Sequence, residues 1–157
     1  MHRRWYAPML AGLAAVASLA ITADARIVHV PGGQPTVSAG ITEADPGDTV
    51  LIACDTYYEH SLIVTKGITI AGATGDTGCV VIDGGDGDQI MAISGVTGMV
   101  IRGITFANGR GTWGGAVVCD TSEVDFESCA FVGNYTTYIG GALFLDNRDW
   151  PMYVGAL

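Results

Sequence analysis

The feature that most constrains this chain is that it says nearly the same thing twice. Residues 96–109 (VTGMVIRGITFANG) lie over residues 121–134 (TSEVDFESCAFVGN) at an offset of 25 residues, and their apolar positions coincide: Met99 with Val124, Ile101 with Phe126, Ile104 with Cys129, Phe106 with Phe131. A second pair follows, residues 114–120 (GGAVVCD) over 140–146 (GGALFLD), at an offset of 26. Repeats of this length mark a solenoid, in which one unit cannot bury its apolar face alone and does so by stacking on the next.

The period inside the unit says which kind. Val124, Phe126, Cys129 and Phe131 alternate with Asp125, Glu127 and Ala130, and the spacing of two breaks once, at Ser128. That is the pattern of short strands bent at a corner, whereas helical repeats need apolar spacings of three and four over ten or more residues. The expected fold is therefore all-β, a parallel solenoid in which each coil adds one strand to each of three sheets.

The strands can be tracked backwards from the repeat. One set is 50–52, 68–70, 99–101 and 124–126; another is 56–58, 80–82, 104–106 and 130–131; a third is 62–64, 90–93, 116–118 and 142–144. This predicts about four coils over residues 49–157, with a fifth just begun and an apolar edge at its end that further coils of a longer chain would cover. Residues 26–48 read as a first strand at 26–30 and a short helix over 35–44. Pro35 opens that helix, Val37, Ile41 and Ala44 supply its apolar face, and Gly40 weakens it. Such a helix would plug the open first coil.

Residues 1–25 have the form of an export signal: Arg3 and Arg4, an uncharged apolar run from Met9 to Ile21, and Ala23-Asp24-Ala25 at the cleavage position. The run is too short for a comfortable membrane span. The expected location is secreted, periplasmic or cell-surface. Cleavage would remove Arg3, Arg4 and Asp24, so the 7 basic and 16 acidic residues become 5 and 15, a net charge of -10. A surface that acidic repels phosphate backbones and anionic lipid, which argues against nucleic acid and membrane-surface partners and leaves divalent cations and neutral glycans compatible. The 23 glycines suit a chain that turns every few residues.

Residues 47–53 (GDTVLIA), 56–59 (TYYE), 66–72 (KGITIAG) and 81–84 (VIDG) resemble the opening of the secreted right-handed parallel β-helix proteins of the pectate-lyase-like superfamily. The Phe131-x-x-Asn134 and Gly-Gly-Ala segments resemble later coils of that group, and the similarity covers roughly residues 27–146. The resemblance implies a right-handed coil. It is specific for fold and poor for function, because that fold carries lyases, hydrolases, esterases, adhesins and inert scaffolds alike.

Candidate sites follow from placement on the coils. Cys54 and Cys79 fall at one corner of successive coils, within reach of a disulfide, and export permits oxidation. Cys129 and Cys119 occupy positions shared with Ile104 and Leu145, which reads as plain core. Asp83, Asp86 and Asp88 place three carboxylates in six residues on a glycine-rich bend that could fold around calcium; no cofactor is otherwise implied, and the bland alternative is a solvated turn. Arg102 aligns with Glu127 one coil later, as an outward cross-strand pair, and Arg110 lies in a loop. Trp113, Tyr135 and Tyr138 recur at one corner beside Arg110, where flat rings at coil spacing suit a sugar polymer or shield the apolar corner. Asn134 begins a glycosylation sequon but falls at a corner, where its amide suits turn backbone. No Cys-x-x-Cys, Gly-x-Ser-x-Gly or His-Glu-x-x-His occurs, and with only His29 and His60 after residue 25 a serine triad or histidine-rich metal site is not expected. The preferred reading is a secreted or surface scaffold presenting loops to an extracellular polysaccharide or partner; the alternative is a pectate-lyase-like polysaccharide lyase lacking its later coils.

Overall fold

The computed structural model describes residues 24–146. The expected signal segment up to residue 23, and the chain end with Trp150, Tyr153 and residues 155–157, lie outside the described residues. Over the described residues the chain is a parallel β-solenoid of about five turns with one short helix.

The first turn carries β1 (Ile27–Val30) and α1 (Val37–Glu43). The second carries β2 (Thr49–Ile52), β3 (Asp55–Tyr58) and β4 (Leu62–Val64), and the third β5 (Thr69–Gly72), β6 (Val80–Asp83) and β7 (Met91–Ser94). The fourth carries β8 (Met99–Arg102), β9 (Ile104–Ala107), β10 (Arg110–Trp113) and β11 (Val117–Asp120). The fifth carries β12 (Val124–Glu127), β13 (Ala130–Val132), β14 (Tyr135–Ile139) and β15 (Leu143–Asp146). Strands stack as β1-β2-β5-β8-β12, β3-β6-β9-β13 and β4-β7-β11-β15, with all pairings parallel.

The registers follow the repeat. Ile101 pairs with Phe126 and Phe106 with Phe131, one coil apart. Alternation puts one side chain in two inside, so the parallel sheets keep a solvent-facing surface. Val50, Ile70 and Ile101 fill one interior column and Ile82 and Phe106 another, all fully buried. Ser128, where the alternation breaks, has φ 49°, and its counterpart Gly103 one coil earlier has φ 65°. A single left-handed residue turns the chain from the first sheet into the second at this corner.

Two expectations about the helix need correction. The helix starts at Val37 rather than Pro35, because the Thr36 hydroxyl accepts a hydrogen bond from the Ala39 N–H and acts as the N-cap. Gly40, expected only to weaken the helix, is what lets it dock: a Cβ there would come within 2.7 Å of Val30 Cγ2 and 3.0 Å of Val50 Cγ1. The helix is a lid as expected, burying Val37 and Ile41 on the end of the core.

The stretches before each Gly-Gly-Ala are strands rather than loops. β10 and β14 form a fourth, two-stranded parallel ribbon, with Arg110 opposite Tyr135 and Trp113 opposite Ile139. The register shifts between Gly111 and Trp113. That irregularity absorbs the one residue by which the repeat lengthens from 25 to 26.

Burial falls away at the last described coil. In one interior column Ile93 and Cys119 are sealed, whereas Leu145, next in register, is 56% exposed.

Candidate functional site

Two segments outside the core are held by charge at the lid. The backbone N–H of Arg26 donates to Asp48 Oδ1 at 3.0 Å, the Arg26 Nε to Asp48 Oδ2 at 2.7 Å, and the Asp45 N–H to Asp48 Oδ2 at 2.9 Å. These donors, the backbone N–H groups first, hold the Asp48 carboxyl down at about 2. Lys66 Nζ donates to the carbonyls of Thr42 and Ala44 at the helix C-terminus, and Glu59 accepts from the N–H groups of Val37 and Ser38 at its start. Both ends of the lid are thereby fastened to the coils beneath it.

Cys54 and Cys79 form a disulfide, with alpha carbons 4.8 Å apart. Cys119 is buried and Cys129 half-buried, both as free thiols. Desolvation pushes the Cys119 thiol up to about 12 and also raises that of Cys129, so neither has the thiolate character of a reactive cysteine.

The acidic bend is divided among separate partners. Asp83 accepts from the Gly85 N–H at 2.8 Å and from Asn108 Nδ2 at 2.9 Å. Asp86 pairs with Arg110 Nε at 2.9 Å, and Asp88 accepts from Ser61 Oγ and the Gln89 N–H. Among the described residues no three His, Cys, Asp or Glu side chains are grouped to hold a metal ion. His60 Nδ1 and Asp88 Oδ2 both contact Ser61 Oγ, at 3.1 Å each. The serine stands between the other two, which is not the order in which a histidine relays a proton from a serine to a carboxylate.

Arg102 sits opposite Glu127 as read from the sequence, both exposed, but among the described ion pairs the two do not pair. Asn134 is spent on turn backbone: its Oδ1 accepts from the Gly109 N–H and its Nδ2 donates to the Phe106 carbonyl.

The aromatic residues divide into two sets. Tyr135 lies under the Arg110 guanidinium, 5.6 Å from ring centroid to Cζ. Trp113 packs edge-on against Tyr138, centroids 4.8 Å apart, and tilted against Phe144 at 5.3 Å. Trp113 remains 42% exposed and Tyr138 68%. The close approach that sets this ribbon against the coil depends on Gly115, where a Cβ would meet the Tyr135 backbone at 2.6 to 2.7 Å.

The Trp113 wall borders a feature that sequence reasoning missed. Ile63, Ala92, Val118 and Phe144 are register partners on four successive strands and face outward from the β4-β7-β11-β15 sheet. Three spacings of ~4.8 Å make this apolar column about 14 Å long, parallel to the solenoid axis. Two shallow depressions lie along it: one of about 220 Å³, lined by Ser61, Ile63, Asp88, Gln89 and Ala92, and one of about 290 Å³, lined by Trp113, Val118, Asp120, Phe144 and Asp146. The signal was present in the alternation, since once Leu62, Met91 and Val117 are inward their neighbours must point out.

No protein-family model matches the chain, and comparison with curated proteins and with solved structures likewise finds no match.

Proposed function

We propose that this chain is a secreted β-helix scaffold that binds an extracellular glycan along the outer face of the β4-β7-β11-β15 sheet. The observation that carries the reading is the continuity of the outward Ile63, Ala92, Val118 and Phe144 column with the exposed Trp113 and Tyr138 rings. A sugar ring has an apolar C–H face that packs on an aromatic ring and a hydroxyl rim that needs polar groups beside it. A groove of apolar floor, aromatic wall and a few polar edges has that composition. Its direction along the coil axis suits a chain of sugars rather than one.

Secretion is supported by the signal-like first 25 residues and by the Cys54–Cys79 bridge, which persists in oxidising compartments. A lyase would need a free cation beside its base to stabilise the anion formed next to a uronate. The pairing of Arg110 with Asp86 engages one of the two described arginines on the later coils, and the other, Arg102, lies on a different sheet from the groove.

Binding of the wild type and Trp113→Ala to a glycan array tests the proposal. The wild type is expected to retain a defined class of glycan, and the variant to lose about tenfold or more in affinity. Equal binding by both, or none by the wild type, would remove it.

A further inference from the structure

The charge around this groove narrows what it takes. Asp120, exposed, lines the same depression as Trp113 and stands in register with Asp146, and Asp88 lines the other depression. No described lysine or arginine lines either. Three of the four described lysines and arginines are engaged elsewhere, Arg26 and Lys66 at the helical lid and Arg110 on Asp86, and the fourth, Arg102, lies on a different sheet, away from both depressions. The chain as a whole carries -9.

Resting on the glycan reading above, we infer that the groove selects amino sugars: its ligand is a polymer carrying free ammonium groups, of the glucosamine type, and not a polyuronate. A uronate chain entering the groove would bring its carboxylates against those of Asp88 and Asp120 with no lysine or arginine among the described lining residues to receive them, inside a field that already repels it. An amino sugar keeps the apolar face that Trp113 can stack on. Its ammonium group at C2 can donate to Asp120, at the far side of a floor made by Val118 and Phe144. The aromatic wall distinguishes such a glycan from a flexible basic peptide, which would need the charge but not the ring.

The test is calorimetric titration of the full chain with four soluble probes of matched length: a β-1,4-glucosamine oligomer, its fully N-acetylated counterpart, an oligogalacturonate and a lysine oligomer. The glucosamine oligomer is expected to bind, the acetylated one about three- to fivefold more weakly, as for loss of one exposed charge pair, and the oligogalacturonate not at all. Raising ionic strength from about 0.01 to about 0.15 M shortens the screening length from ~30 to ~8 Å and, among the sugars, should weaken the glucosamine oligomer alone. Asp120→Asn should abolish the preference for the free amine and Asp120→Glu should retain it, with unchanged melting temperatures showing that both are folded. Trp113→Ala should weaken both sugars. Equal affinity for the amino and acetylated oligomers, with no effect of Asp120→Asn, overturns the charge selection while leaving the glycan groove standing. Binding of the oligogalacturonate overturns it too. A lysine oligomer that binds as tightly as the sugar and ignores Trp113→Ala shows a generic acidic surface and overturns it. Failure of every sugar to bind removes both this inference and the function on which it rests.

Discussion

Phe131 lies directly over Phe106 of the preceding coil, with ring centroids 5.4 Å apart and planes inclined by 14°. The two occupy the same place in consecutive repeats but differ in burial: Phe106 is sealed on every side, while Phe131 is only partly covered. A solenoid is a sum of units and nearest-neighbour interfaces, so the same deletion should have different costs at the two levels.

Phe106→Ala opens a cavity flanked by coils on both sides and should destabilise by about 3–5 kcal/mol. Phe131→Ala removes a ring that water already reaches and should cost about half that or less. Urea unfolding of the two variants measures the difference. Equal costs would mean that the last coil is as well packed as the one beneath it, against the burial seen here.

Cys54 and Cys79 are 25 residues apart and tie the second coil to the third. Closing a loop of that length lowers the entropy of the unfolded chain enough to stabilise the fold by about 3.5 kcal/mol. Cys54→Ser with Cys79→Ser should lose roughly this much. A non-reduced digest analysed by mass spectrometry should contain the two peptides joined. In native protein a thiol reagent should label Cys119 and Cys129 slowly, since burial raises both thiols, and should label both at once after denaturation. Rapid labelling of Cys54 or Cys79 in the untreated protein would contradict the bridge.

Glu59 spans the junction between the second coil and the lid, accepting from the Val37 and Ser38 N–H groups at 2.8 and 2.9 Å. Glu59→Ala leaves two N–H groups at the start of a seven-residue helix without those acceptors, and Val37 is fully buried. A loss of about 1–3 kcal/mol is expected. Protection of the amides of 37–43 against hydrogen exchange should fall further than that of β8 and β9. Uniform loss across the chain would show that the lid is not a separately opening unit.

The repeat made most of this architecture legible because registry in a stack is a property of sequence spacing. Ile101 over Phe126, Cys54 beside Cys79 and the turn at Ser128 all follow from an offset near 25 together with an alternation of two. What stayed hidden was set by contacts that no period encodes. The β10 and β14 ribbon carries Trp113, Tyr135 and Tyr138 in segments that read as loops, because glycine at 111 and 114 and two threonines in 135–139 obscure the alternation. Gly40 reads as a flaw in a helix because nothing in its local sequence announces that Val30 and Val50 lie beneath it. The groove floor differs: the outward positions of Ile63 and Val118 are fixed by the same alternation, but an apolar side chain on an outward position does not by itself distinguish a binding surface from ordinary exposed surface. Asp48 gave no local sign of its partner, since Arg26 is 22 residues away.

That last pair makes stability depend on acid in a predictable direction. The folded Asp48 carboxyl titrates at about 2, below its ordinary 3.8, with the Arg26 and Asp45 N–H groups as the leading cause and the Arg26 guanidinium adding to them. Between those two values the unfolded chain takes up a proton that the folded chain refuses, so falling pH favours unfolding. The stabilisation by Asp48 is fully present above about pH 4 and is lost as pH falls toward 2. Glu43 and Asp45 also face Arg26, at 3.5 and 2.9 Å, so the guanidinium keeps partners when Asp48 is changed. Asp48→Asn should therefore melt below the wild type at pH 6, and the gap should narrow steadily between pH 4 and pH 2, where the wild-type side chain becomes a neutral acid. Melting curves of both proteins across that range decide the matter: a gap that stays constant from pH 6 to pH 2 would show that the Asp48 charge contributes nothing to holding Arg26 and the lid.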